Sequence, residues 1–256
     1  MESATGDRTA AARAAIDRNP VWYHTLELAP GVVTPGQIDL RRTAQRVLPE
    51  DLSGVRALDV GTFDGFWAFE LERRGADVVA IDVEQIEAAE WPPLHRARLE
   101  REAQQWDLRL GRGFALAAEI YDSRVERVVC NAYDLTPEAI GGQVELAFCG
   151  ALLLHLRDPV GVLERIHAAL RPGGRFLQLE PVSLRRSLLA RRTPLAEFQA
   201  VGTPFNWWTP NVAGLRAWLA AAGFTDVARL GLHRPPARDA MKGQWYCAMS
   251  SRRPND

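Results

Sequence analysis

The segment Val55–Glu84, VRALDVGTFDGFWAFELERRGADVVAIDVE, decides the fold. Its first apolar run ends at Gly61, is too short for a helix, and has the uninterrupted hydrophobicity of a strand buried on both faces. FWAFELERRG follows with helical spacing and a Gly75 stop, and ADVVAID is a second buried strand that closes on Asp82. Two such strands separated by one helix lie parallel, because a parallel pair needs a crossover connection. The segment is therefore a βαβ unit.

The same alternation continues outward. Strands are expected in VERVVCNAYDL (125–135), VELAFCGALLLHL (144–156) and RFLQLEPVS (175–183), with a helix in DPVGVLERIHAALRPGG that Pro172 and Gly173-Gly174 end. NVAGLRAWLAAAGF (211–224) is an amphipathic helix stopped at Gly223. DVARLGLH and QWYCAMSS are two strands whose short, proline-containing connection has no room for a crossover helix, so the last strand should run antiparallel. These elements predict an α/β fold: a Rossmann-like seven-stranded sheet, mostly parallel with an antiparallel last strand, and helices on both faces. Residues 1–50, with turn signals at Pro30-Gly31 and Pro35-Gly36, are expected to form a helical and irregular cover over the active site. Residues 51–256 form the main domain, with inserts at 84–127, expected to hold two helices, and at 183–209.

Bulk properties narrow the function. In 256 residues, 31 Lys and Arg balance 32 Asp and Glu for a net charge of -1, so no global basic field draws in nucleic acid or an anionic membrane. Arg185, Arg186, Arg191 and Arg192 form a local cluster, more often a solvated face. Cys130, Cys149 and Cys247 are spaced unlike a disulfide framework and are expected to be reduced core residues. Neither a signal-peptide apolar region nor a membrane-length apolar run is present, which points to a cytoplasmic protein.

The glycine turn Gly61-Thr-Phe-Asp-Gly65 places backbone N–H groups and a helix N-terminus beside a ligand. Asp82, 21 positions after Gly61, stands where a carboxylate accepts from two ribose hydroxyls, so NAD and S-adenosylmethionine both fit. A dinucleotide pyrophosphate needs glycine at the positions held here by Phe63 and Phe66. That favours S-adenosylmethionine, whose smaller methionine end tolerates the loss of one glycine.

LDVGTFDG, AIDVE, CNAYDL, VELAFCGALLLHLRDPVGVLERIHAALRPGGRFLQLE and AGLRAWLAAAGF occur in the order and spacing of class I S-adenosylmethionine-dependent methyltransferases. The chain resembles that class from Leu58 to about Met249. VWYHTLELAPGVV and the His-Leu-Arg-Asp-Pro run are similar to the branch that includes the tRNA wobble-uridine carboxymethyltransferase. The chain departs from that enzyme in having Tyr23-His24 where a basic Arg-Lys pair stands.

The resemblance implies that Asp59, Gly61, Thr62, Phe63 and Gly65 surround the methionine end, Asp82 holds the ribose and Val83 lies along adenine. Asn131, Ala132 and Tyr133 would reach the adenine edge, and Cys149 and Gly150 would offer carbonyls to the methionine ammonium. The implied cofactor is S-adenosyl-L-methionine, giving S-adenosyl-L-homocysteine; no metal-ligand spacing is found. His155, one turn past the cofactor loop, has the pKa of a general base and equally suits a loop-ordering role. Glu180, at a strand end facing the crevice, can bind an acceptor hydroxyl or orient His155. Tyr23, His24, Asn206, Trp207 and Trp208 are the expected acceptor walls. The reaction expected is methyl transfer to an oxygen of a small molecule such as a sugar or secondary metabolite, by a monomer or homodimer. The alternatives are a tRNA wobble-uridine-modifying enzyme and a non-catalytic module that binds the cofactor.

Overall fold

The computed structural model describes residues 2–255. The chain starts with α1 (Glu2–Arg18), a two-stranded ribbon of β1 (Glu27–Ala29) and β2 (Val32–Val33), and α2 (Arg41–Val47). The βαβ unit follows as β3 (Arg56–Val60), α3 (Phe66–Glu72) and β4 (Asp77–Asp82), with the strands parallel and Asp59 opposite Ala80. The first insert contains the two expected helices, α4 (Pro93–Gln105) and α5 (Arg112–Tyr121), and leads into β5 (Glu126–Val129). Then come β6 (Val144–Gly150), α6 (Pro159–Ala169) and β7 (Leu170–Pro181).

One boundary differs from expectation. Sheet pairing on β7 begins at Leu170, opposite Val144, before the Gly173 turn rather than after it, and the register slips between that pair and Leu146↔Arg175. The Pro-Gly-Gly turn is thus a bulge inside the strand, where glycine accommodates a φ of +73°.

The second insert holds α7 (Leu184–Leu189) and the paired strands β8 (Ala196–Phe198) and β9 (Trp208–Pro210). After α8 (Val212–Ala221), β10 (Thr225–His233) and β11 (Tyr246–Arg252) complete a seven-stranded sheet of order β10-β11-β7-β6-β3-β4-β5. β11 runs antiparallel to both neighbours, as the short 234–245 connection requires.

Side chains alternate between two buried layers. Ala57, Ala80, Phe148, Leu179 and Ala248 face α3, α5 and the N-terminal segment, while Leu58, Ile81, Cys149, Phe176 and Met249 face α6 and α8. Burial on both sides explains why these strands lack polar alternation. It also places Asp59 on the face of the N-terminal segment.

That segment is seated by close backbone packing. His24 bridges to Ile38, and a methyl group on Gly36 would lie 2.3 Å from the backbone carbon of His24 and the nitrogen of Thr25. Gly36→Ala therefore has to push adjacent backbones away from each other, at a cost of about 2 kcal/mol, or a Tm loss of about 5 °C. Limited proteolysis of the variant should cut first within 19–38 while the sheet survives; cleavage unchanged from wild type would show that the contact relaxes freely.

Candidate active site

The loop after β3 keeps a glycine's backbone course at a non-glycine residue. Gly61, Phe63 and Gly65 have φ of +78°, +49° and +89°. The Phe63 conformation is uncommon for an aromatic residue and is held from outside: its N–H donates to Asp82 Oδ2 at 2.7 Å. The other carboxylate oxygen accepts from Val83 N at 2.7 Å. Each oxygen so retains acceptor capacity for a hydroxyl. Burial raises the Asp82 pKa, while the two amides and Arg127 oppose the rise. A Cβ on Gly65 would sit 2.3 Å from the Phe69 ring, so the tight approach of α3 requires glycine there.

Beside this loop, both oxygens of Asp59 and the hydroxyl of Thr62 are buried without a partner at hydrogen-bond geometry. Burial pushes the Asp59 pKa up to about 7, an effect that Thr62, His24 and the Ala68 amide only partly offset. Buried carboxylate oxygens that have only these marginal donors call for a stronger one, and the methionine ammonium of S-adenosylmethionine has the required chemistry. These residues fit that group.

An ammonium favours ionised Asp59, so cofactor binding should strengthen as pH rises through about 7 and release a proton below it. Without ligand, the raised pKa makes Asp59 lower folded stability as pH rises from its unfolded value through about 7. Calorimetric titration of S-adenosylhomocysteine at about pH 6 and about pH 8, on either side of that pKa, should give the higher affinity at the higher pH; equal affinities would separate Asp59 from the ligand.

On the opposite side of Asp82, Asn131 Oδ1 accepts from Tyr133 N at 3.1 Å and caps a single turn, Ala132–Asp134. Tyr133 donates its hydroxyl to Glu90 Oε2 and accepts from Asp158 N at 3.0 Å. Cys149 is fully buried, and Gly150 ends β6 where a Cβ would meet Trp67 Nε1 at 2.7 Å.

Glu180 is 1% exposed and accepts from the amides of Leu152 and Leu153, both at 3.1 Å. It therefore caps the turn Leu153–His155, and burial lifts its pKa to about 8 against those amides. His155 donates from Nδ1 to the Phe205 carbonyl at 2.8 Å. A carbonyl only accepts, so the proton is on Nδ1 and Nε2 carries the lone pair. Burial lowers the His155 pKa, which keeps the ring neutral.

The five expected acceptor-wall residues fall into two groups. Tyr23 and His24 lie over the Gly61–Gly65 loop. Asp64 gathers the Tyr23 amide at 2.9 Å, the His24 amide at 2.8 Å and His24 Nδ1. The buried His24 ring stacks on Phe66 at 5.3 Å, and Tyr23 meets Phe63 edge-on at 5.7 Å. The second group lies in the second insert. Trp207 donates its indole N–H to the Glu90 carbonyl at 2.6 Å, Trp208 donates to the Arg157 carbonyl at 3.0 Å, and Asn206 is half-buried. Arg157 lies over the Trp207 ring at 4.8 Å.

Asp64 and Glu90 carry much of this architecture and were not singled out from the sequence. Asp64 had a signal, since an acid inside a glycine turn is available to bind whatever covers it. Glu90 had none: its partners Tyr133, Arg157 and Trp207 are 43, 67 and 117 positions away.

Comparison with known proteins gives a family match and several relatives. The model of the family described as "Methyltransferase domain" matches residues 37–229. The tRNA U34 carboxymethyltransferase of Azotobacter vinelandii is 30% identical over 208 residues, covering 80% of this chain and 57% of that protein. The chain thus spans little more than half the length of that relative. The ubiquinone biosynthesis O-methyltransferase of Acinetobacter baylyi is 28% identical over 123 residues, 48% of this chain and 42% of that one. Among solved structures, the N-terminal domain of EvdMO1, determined in the presence of SAH and D-fucose, superposes with a TM-score of 0.61 at 18% identity, covering 96% and 97% of the two chains. At that identity the likeness concerns the fold.

Proposed function

Because the chain belongs to the Methyltransferase domain family, we propose that it transfers a methyl group from S-adenosylmethionine to an oxygen of a small, uncharged acceptor such as a sugar or secondary metabolite. The observation that carries this reading is the charge of the site. After burial itself, Tyr246 and then Asp64 and Glu180 act most strongly on Tyr23, Glu180 and Asp59 on Cys149, and Glu180 on Tyr246, and neither arginine nor lysine is among the main influences on these or on Asp59 and Glu180. Such surroundings suit a cationic sulfonium. They disfavour a carboxymethyl group, which brings a negative charge into a buried site with no basic partner among these influences.

Bound S-adenosylmethionine supplies a methyl carbon on a sulfonium for in-line displacement. The role of the residues is to hold and align. Asp82 takes the ribose and ties down Phe63, Asp59 and Thr62 take the ammonium, and the N-terminal segment excludes water from above. His155 Nε2 is a free acceptor near neutral pH and accepts the acceptor hydroxyl's proton.

The test is formation of S-adenosylhomocysteine by the purified protein with a panel of neutral sugars and phenols, in parallel with tRNA. Turnover on a small acceptor, reduced about 100-fold in His155→Ala, is expected. Turnover on tRNA alone, with binding that falls steeply with salt, would replace this reading with the RNA-directed one.

A further inference from the structure

The antiparallel course of β11 has a chemical consequence. In an open parallel sheet, ligands bind beyond the carboxyl ends of the strands. An antiparallel strand brings its first residue to that edge, and on β11 this residue is Tyr246, paired with Pro181 one position beyond Glu180. Tyr246 is 1% exposed, and its hydroxyl has no partner at full hydrogen-bond geometry, although the Tyr23 phenol acts on it as a weak donor. A tyrosine this buried normally finds a partner.

Tyr23 approaches the same place from above. Its backbone is fixed by the Asp64 carboxylate, and its ring rests on Phe63 of the cofactor loop. Its phenol interacts most strongly with Tyr246, Asp64 and Glu180. Burial raises both tyrosine pKa values, so both hydroxyls stay protonated and able to donate. The tyrosines span the distance from the cofactor loop to the carboxyl end of β7.

We propose that Tyr246, with Tyr23 brought over it by the Asp64-held segment, forms the acceptor-oxygen subsite, and that the class of acceptor it takes is a neutral polyhydroxylated molecule. Paired neutral phenols recognise hydroxyl oxygens by donating and accepting. A carboxylated acceptor would enter this buried space beside Glu180 and Asp64 with no basic partner among the groups acting on the two tyrosines most strongly, so the desolvation of its carboxylate would go uncompensated. This inference rests on the methyltransferase reading above and deepens it to an acceptor class.

The experiment titrates the full chain, saturated with S-adenosylhomocysteine, with D-fucose, D-glucose and D-glucuronate, following tryptophan fluorescence and thermal stability in wild type, Tyr246→Phe and Tyr23→Phe. A neutral sugar should bind at least about ten-fold more tightly than the uronate. Tyr246→Phe should weaken sugar binding about ten-fold, the effect of losing one hydroxyl contact in a buried site, while the shift produced by S-adenosylhomocysteine stays at the wild-type value. Sugar binding unchanged in Tyr246→Phe, or uronate binding equal to that of the sugar, overturns the subsite. Wild type that binds S-adenosylhomocysteine but none of the sugars overturns the acceptor class and leaves the cofactor reading standing. Wild type that shows no shift with S-adenosylhomocysteine overturns the underlying methyltransferase reading instead.

Discussion

Asp82→Ala is expected to bind S-adenosylhomocysteine at least about 100-fold more weakly than wild type. Two losses add. The carboxylate's remaining lone pairs are the ones available to two ribose hydroxyls, and charge-assisted bonds of this kind contribute about 1.5–3 kcal/mol each. Two of them come to about 3 kcal/mol or more, which corresponds to the stated factor. The second loss is in the protein. Without Asp82, the Phe63 amide loses its 2.7 Å partner, and with it the contact that holds a phenylalanine at a φ of +49°. The loop can then relax to an ordinary conformation and no longer presents its amides to the ligand. Asp82→Asn should fall between the two, since one oxygen still accepts from Phe63 and the charge is gone. Calorimetric titration of the three proteins measures the series. An alanine variant that binds within about three-fold of wild type, well under one lost hydrogen bond, would dissociate Asp82 from the cofactor.

The second large effect is expected at Asp64. Its carboxylate holds two backbone amides and the imidazole of a buried histidine, all from the N-terminal segment. Asp64→Ala leaves these donors buried and unpaired, a cost of about 3–5 kcal/mol, or a Tm loss of about 10 °C or more in a chain of this size. Asp64→Asn retains an acceptor oxygen and should lose less. His24→Phe keeps the stack on Phe66, leaves both amides bonded and removes only the imidazole contact. The double variant should therefore cost clearly less than the sum of Asp64→Ala and His24→Phe, because both remove the same bond. Thermal melts of wild type, the two single variants and the double variant give the coupling; strict additivity would mean that the histidine and the aspartate do not act together.

The sheet was legible in the sequence because its signals are local. Buried strands interrupted by Gly61, Gly75 and Pro172-Gly173-Gly174 announce their own ends, and the brief connection before β11 dictates its direction. The slip at Leu170 was not legible, since it depends on a pairing with Val144, far earlier in the chain. The same division runs through the site. The glycine loop and Asp82 lie within one βαβ unit and were visible from spacing. The burial of His24 was not, because it results from Asp64 in a loop 40 positions away. Trp207 and Trp208 are expected as wall residues, yet a sequence does not show that both indole N–H groups are used on the backbones of Glu90 and Arg157. Tyr246 was overlooked because an aromatic residue opening a buried strand looks like core, and only the direction of the strand brings its position to the sheet edge beside Glu180 and Pro181.

Cofactor binding by the Gly61–Gly65 loop underlies every functional assignment made for this chain, and thermal unfolding with saturating S-adenosylhomocysteine tests it most directly. At about 100 times the dissociation constant a ligand that binds only the folded state adds about 2.7 kcal/mol, which for a chain of this length is a Tm rise of about 5–10 °C. Wild type should show that rise and Asp82→Ala should lose it. An unshifted wild-type Tm at millimolar S-adenosylhomocysteine would contradict the assignment of the Gly61–Gly65 loop to this cofactor.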